Sequence, residues 1–132
     1  MRDGASDPDI IERWWVVFSR PKCAGWPVSQ FGHVHALTDR GGIVLIVDPL
    51  RHRMLVHMTL ETIPQFIREA ENLGHEVLTL AFRPFLAQRS RVLRPQLVTC
   101  ASTVAYAMGL RRWPLTPWGL KRELLRAGAE RI

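Results

Sequence analysis

The feature that most constrains the fold is a series of short apolar runs in the first 60 residues, each ended by turn-forming residues. β-branched and aromatic residues dominate these runs, as is typical of β-strands. Gly, Pro and Asp separate the runs at short intervals, as tight turns between neighbouring strands require. The pattern predicts strands over residues 14–18, 31–38, 43–47 and 53–60.

Beyond residue 60 the apolar residues take up helical spacing. Helices are expected over residues 63–73, 99–108 and 117–126, and a fifth strand over residues 76–82. Gly74 and Gly109 lie where the first two helices should end, and Pro117 suits the first turn of the third. This order of elements predicts an α+β fold, with an antiparallel sheet of about five strands packed against helices.

The size of the chain indicates a single domain. It has 132 residues, 47% of them apolar, which is enough to bury a real core. We expect a flexible N-terminal leader over residues 1–12 and one domain over residues 13–132. No signal peptide and no membrane-spanning apolar run is visible in the sequence, so synthesis in the cytoplasm is expected.

The chain is basic, with a net charge of +6. Most of its arginines are scattered, and only the stretch with Arg89, Arg91 and Arg94 comes near to a cluster. An arginine-rich nucleic-acid-binding module is therefore an alternative that the sequence does not favour. The basic residues of the last helix, Lys121, Arg122 and Arg126, are expected to form a solvated face.

Two residues with catalytic potential fall on adjacent predicted strands. If the hairpin turns symmetrically about Arg40 and Gly41, His33 lies directly opposite Asp48 and their side chains can meet. The carboxylate would then accept a hydrogen bond from the imidazole, fixing its tautomer and supporting its protonated form. The simpler interpretation is that Asp48 and Pro49 form the turn that closes the strand.

Cys100 follows Thr99, a candidate N-cap, at the start of a predicted helix. A thiol there lies near the positive end of the helix dipole, which favours the reactive thiolate. A neighbouring imidazole would favour the thiolate further. The alternative is a small buried core residue, which is the usual role of an isolated cysteine. Cys23 lies in a predicted loop without these features and is taken as incidental.

Three short segments, considered in their order along the chain, resemble a known family. Residues 31–34 (FGHV), 47–50 (VDPL) and 98–100 (VTC) resemble small phage and bacterial members of the NlpC-type, papain-like cysteine peptidase superfamily. Residues 107–110 and 116–120 fit the same pattern. Because the histidine strand precedes the cysteine helix, the resemblance is to the circularly permuted branch. It spans roughly Trp14 to Leu125.

The resemblance implies a thiol nucleophile at Cys100, a general base at His33 and an orienting polar residue at Asp48. It implies attack on an amide or ester carbonyl through a thioester, with peptide or isopeptide substrates such as peptidoglycan stem peptides. No metal or organic cofactor is implied. Association with a phage virion or tail, and phage structural proteins as partners, follow from the same resemblance.

Other assignments of these residues remain open. His35 shares a strand face with His33 and could be the base in its place. Five residues could in principle build a metal site: His33, His35, His57, Asp48 and Cys100. No second well-spaced pair of ligands supports such a site. His52 and His75, beside turns, are expected to be solvated. The main functional alternative is a non-catalytic structural or adaptor protein of a phage virion or tail.

Overall fold

A computed structural model describes residues 11–19, 32–50, 53–59, 61–83 and 99–132. These residues form an α+β fold with one antiparallel six-stranded sheet and three helices. The strand order across the sheet is β4-β3-β2-β1-β5-β6. The elements in chain order are β1 (Glu12–Ser19), β2 (His33–Arg40), β3 (Ile43–Leu50), β4 (Arg53–Thr59), α1 (Ile63–Asn72), β5 (Glu76–Phe82), α2 (Cys100–Met108), α3 (Pro117–Arg126) and β6 (Glu130–Arg131).

The α+β class and the antiparallel sheet predicted from residue spacing are confirmed. The sequence did not predict β6, which pairs with β5 at the edge of the sheet. A strand of two residues is too short to show the alternation that identifies strands. Glu12, which was assigned to the leader, is the first residue of β1, and residues 1–10 lie outside the described residues.

Both faces of the sheet are covered by helices, which explains why the central strands are apolar without strict alternation. Val16, Phe18 and Val34 point to one face and form a core with α2 and α3. Val17 and Leu37 point to the other face and form a second core with α1. We call these the α2 face and the α1 face of the sheet.

The hairpin between β2 and β3 turns at Gly41 and Gly42, which have φ angles of 62° and 89°. A two-residue turn with positive φ at both positions is type I′, and glycine adopts it without steric cost. It makes Arg40 and Ile43 the closing pair of the ladder. The predicted turn centre at Arg40 and Gly41 is therefore wrong, and every pairing shifts by two residues.

β3 continues through Asp48 and Pro49, where the sequence had predicted its end. Pro49 pairs with β4, but the ladder between β2 and β3 stops at Ala36 and Val47. In this register the next hydrogen-bonded pair would join Val34 to Pro49, and proline has no N–H to donate. The pairing of these two central strands therefore ends next to the candidate site, and α2 contacts both of them.

The prediction that Lys121 lies on a solvated face is wrong. Its side chain is only 8% exposed, its Nζ lies 2.6 Å from Glu76 Oε1, and it sits 5.2 Å above the Trp118 ring. Arg122 and Arg126 are exposed, as expected. This buried pair joins α3 to β5. A lysine is rarely buried without a partner, and the packing of these two elements is what brings Glu76 to Lys121.

We expect Glu76→Gln to destabilise the fold by about 3 kcal/mol, because it removes the negative charge that lies against a buried ammonium. The matched control is Glu123→Gln, which removes the carboxylate facing the exposed guanidinium of Arg112 at 3.7 Å. Such a surface pair contributes about 1 kcal/mol or less. Chemical denaturation of both variants checks this, and equal losses of unfolding free energy would contradict it.

Candidate active site

His33 and Asp48 are joined by a hydrogen bond across the two central strands. His33 Nε2 lies 2.7 Å from Asp48 Oδ1, and both side chains are about one-third exposed, at 35% and 34%. One step beyond the last pair of the ladder, Asp48 comes opposite His35, so its contact with His33 is diagonal. The predicted hydrogen bond is present, although the register that suggested it is wrong.

Cys100 is the first residue of α2, and the start of that helix is firmly capped. Thr99 Oγ1 accepts a hydrogen bond from the Ser102 N–H at 3.1 Å, and Ser102 Oγ accepts one from the Thr99 N–H at 2.9 Å. This reciprocal capping box fixes the first turn. The Cys100 side chain is a free thiol, half-buried at the positive end of the helix dipole.

The three predicted residues come together: Cys100 lies close enough to His33 for each side chain to shift the pKa of the other through hydrogen bonding and charge. Since His33 Nε2 faces Asp48, its Nδ1 is the ring nitrogen that remains for the sulfur. The Val34 N–H also donates to the sulfur, although a continued ladder would have directed it to β3. By strand alternation His33 belongs to the α1 face, whereas Cys100 packs with the core of the α2 face. They meet where the pairing of β2 and β3 ends.

The pKa of the Cys100 thiol is lowered in spite of its burial. Burial is the largest single influence and raises this pKa, because a thiolate loses hydration there. The hydrogen bond with His33, its positive charge, and the N–H groups of Val34 and Ala101 act together in the opposite direction. Their sum outweighs burial, so the site favours the thiolate.

The pKa of His33 is raised from 6.5 to about 9. The hydrogen bond with Cys100 is the largest cause, and burial acts against it. The hydrogen bond with Asp48 raises this pKa further because it stabilises the imidazolium. The directions of the two shifts agree, and both favour a thiolate–imidazolium pair over a neutral thiol and a neutral imidazole.

His35 lies beside this pair. Its ring centroid is 6.4 Å from that of His33, and the two planes differ by 29°. Burial is the main cause that lowers the pKa of His35, so its ring loses its proton at a lower pH than that of His33. His33 donates to the Asp48 carboxylate and is the histidine that interacts with Cys100, which favours His33 over His35 as the base.

The remaining predicted positions contribute nothing to this description. Cys23, His52, and the arginines 89, 91 and 94 lie outside the described residues, and His57 is placed only by its backbone on β4. Within the described ranges, no group of three or more His, Cys, Asp or Glu side chains is arranged to hold a metal ion. Among the same residues, no helix has the length and apolar character needed to cross a bilayer.

Sequence reasoning missed the backbone donors at the sulfur. The signal was present in Pro49, because a proline inside a strand interrupts one ladder and leaves groups of its neighbour for other partners. The influence of His75 on His35 was also missed, since His75 was expected to be solvated and is instead partly buried.

Comparison of the chain with protein-family models, with curated proteins and with solved structures finds no match. The conclusions about the site therefore depend on its own geometry.

Proposed function

We propose that this protein is a thiol hydrolase of the amidase or endopeptidase type, in which Cys100 is the nucleophile, His33 the general base and acid, and Asp48 the orienting group. The observation that carries the proposal is that three groups converge: His33 Nε2 lies 2.7 Å from Asp48 Oδ1, and Cys100 interacts directly with His33 through hydrogen bonding and charge. A nucleophile, a base and a group that orients the base are the parts that covalent catalysis needs.

The chemistry follows from the protonation states. The Cys100 thiolate attacks an amide carbonyl carbon, and the imidazolium of His33 gives its proton to the leaving nitrogen as the C–N bond breaks. The product is a thioester at Cys100 and a free amine. His33, now neutral, takes a proton from water as the water attacks the thioester. The acid is released, and the thiolate–imidazolium pair forms again.

The resemblance to permuted papain-like peptidases supports the same proposal. In this chain the order along the sequence is histidine strand, aspartate strand, cysteine helix, as that branch requires. We propose accordingly a permuted NlpC-type domain acting on peptide or isopeptide bonds, with peptidoglycan stem peptides as the first substrates to test. A virion or tail setting, with phage structural proteins as partners, belongs to the same proposal.

The test is direct detection of the thioester. The whole chain is mixed with an activated acyl ester, a simple peptide amide and purified peptidoglycan stem peptides, and acid-quenched samples are analysed by mass spectrometry. We expect acyl adducts that map to Cys100, that disappear with time and that yield free acid. Cys23 serves as the internal control, since it should carry no adduct.

Two outcomes would contradict the proposal. Equal, slow modification of Cys100 and Cys23 would favour the structural or adaptor alternative, because a thiol without an activating pair reacts like any other. Tight binding to nucleic acid that weakens steeply with salt, together with no acyl adduct, would favour the arginine-rich binding module.

A further inference from the structure

Asp48 lies near the imidazoles of both His33 and His35. It hydrogen bonds to His33, which is farther from it in the strand register than His35. The last pair of the β2–β3 ladder is Ala36 with Val47, and His35 and Asp48 are the residues that follow this pair on their two strands. Its Oδ1 nevertheless lies 2.7 Å from Nε2 of His33, two residues away on the same strand face. Something must therefore keep the carboxylate from its direct neighbour.

The state of His35 provides the reason. Its ring is mostly shielded from water, which disfavours the charged form and lowers its pKa. The charge on His33 and the nearby His75 lower it further, and only Asp48 acts in the opposite direction. Within the described part of the chain, these three groups, on β2, on β3 and just before β5, are the titratable groups whose charges reach His35. The neighbour of His35 on β1 is the apolar Val17. An uncharged imidazole competes weakly for a carboxylate that a charged one can bind.

The two rings also support each other in space. Their centroids are 6.4 Å apart with planes 29° from parallel, which is a stacked arrangement. Asp48 hydrogen bonds to Nε2 of His33, Cys100 interacts with the same ring, and the ring of His35 lies beside it. Rotation of the His33 ring about its own bond is therefore restricted from three directions.

We propose that His35 is a positioning residue of the thiol site: its ring packs against that of His33 and, while uncharged, leaves the Asp48 carboxylate to His33. The proposal rests on the function proposed above and extends it, since it explains which of two histidines becomes the base. Protonation of His35 draws Asp48 to its direct neighbour and removes support from the imidazolium of His33.

The experiment observes the hydrogen bond itself, by NMR of the whole chain with isotope-labelled histidine. The His33 Nε2 proton, held by Asp48, should give a downfield resonance that Asp48→Ala removes. His35→Phe keeps a flat ring that cannot become charged, so the resonance should remain. His35→Arg places a permanent cation opposite Asp48, so the resonance should disappear and the proton affinity of His33 should fall about ten-fold.

Two further measurements guard against loss of folding and a general effect of charge. Tyr106→Arg adds the same charge at an exposed position near the other end of α2, and should leave the resonance unchanged. In the unmodified chain, acidification should remove the resonance before the fold is lost, and His35→Phe should keep it to lower pH. This comparison holds even if His35→Arg does not fold.

The proposal is overturned if His35→Phe loses the resonance as His35→Arg does, or if acidification affects the unmodified chain and His35→Phe alike. Failure of the proposed function is a separate result, namely a Cys100 that forms no thioester while the His33 resonance behaves as described. The acyl-adduct experiment and the NMR experiment therefore distinguish the two.

Discussion

Replacing Cys100 with alanine should abolish acyl transfer, with kcat/KM on an activated ester falling by about a thousand-fold or more. The reason is that neither other side chain of the site can replace the sulfur as nucleophile. His33 has a raised pKa and carries a proton, and Asp48 is hydrogen bonded to His33. Hydrolysis measured by ester cleavage, over the uncatalysed rate, checks the prediction.

The control for this substitution is Cys23→Ala, which removes the other cysteine of the chain and should leave ester cleavage unchanged. Cys100→Ser is a second informative variant. Its hydroxyl can occupy the same place, but a serine hydroxyl is far less acidic than a thiol and cannot form the ion pair with His33. Ester cleavage that survives in Cys100→Ala, or that is lost in Cys23→Ala, would show that the nucleophile has been assigned wrongly.

Replacing His33 with alanine should remove most of the thiolate at neutral pH. A thiol with the ordinary pKa of 9.0 is roughly 1% ionised at neutral pH, so loss of the pair should leave only a small fraction of Cys100 as thiolate. Burial, which no longer has an imidazolium to oppose it, adds to the loss. The ultraviolet absorbance of the thiolate, followed against pH, measures this fraction directly.

The pH dependence of the unmodified chain follows from the two shifts. The pKa of His33 is raised, so the stability that its proton contributes is fully present below its ordinary 6.5 and is lost as the pH rises through about 9. The pKa of Cys100 is lowered, so its contribution is present above the ordinary 9.0 and is lost as the pH falls through the lowered value. The ion pair is therefore intact between the lowered pKa of Cys100 and the raised pKa of His33, which is about 9.

Two further variants, Asp48→Asn and His52→Ala, serve as comparisons for His33→Ala. The asparagine can still accept a hydrogen bond but carries no charge, so the ion pair should persist while its alkaline limit, the pKa of His33, moves to lower pH. His52→Ala removes a histidine that the sequence predicts to be solvated and should change neither limit. A thiolate absorbance that His33→Ala leaves intact at neutral pH would contradict the ion pair.

The site illustrates how a correct contact can follow from an inexact rule. Symmetry of the hairpin suggested that His33 and Asp48 face each other, yet the turn lies one residue later, at Gly41 and Gly42. The contact is still made because a side chain can also reach the diagonal residue of the neighbouring strand, two positions from the one directly opposite. The glycine pair was a readable signal for a type I′ turn, and giving it more weight would have corrected the register.

The local features of this protein were determined by its sequence. Thr99, Ser102 and Gly109 bound α2 through capping and a positive φ of 84° at the glycine, and these effects act over a few neighbouring residues. The apolar stripe of α2 is buried as its spacing predicts; it comprises Ala101, Val104, Ala105 and Met108. Each of these depends on near neighbours along the chain.

Tertiary structure alone decided where distant segments meet. Burial of Lys121 depends on Glu76 of β5, and the sulfur reaches His33 only because α2 contacts the central strands where Pro49 ends their ladder. Such contacts join residues far apart in sequence, and their geometry is set by the packing of whole elements. The sequence determined which residues could react, and the packing brought them together.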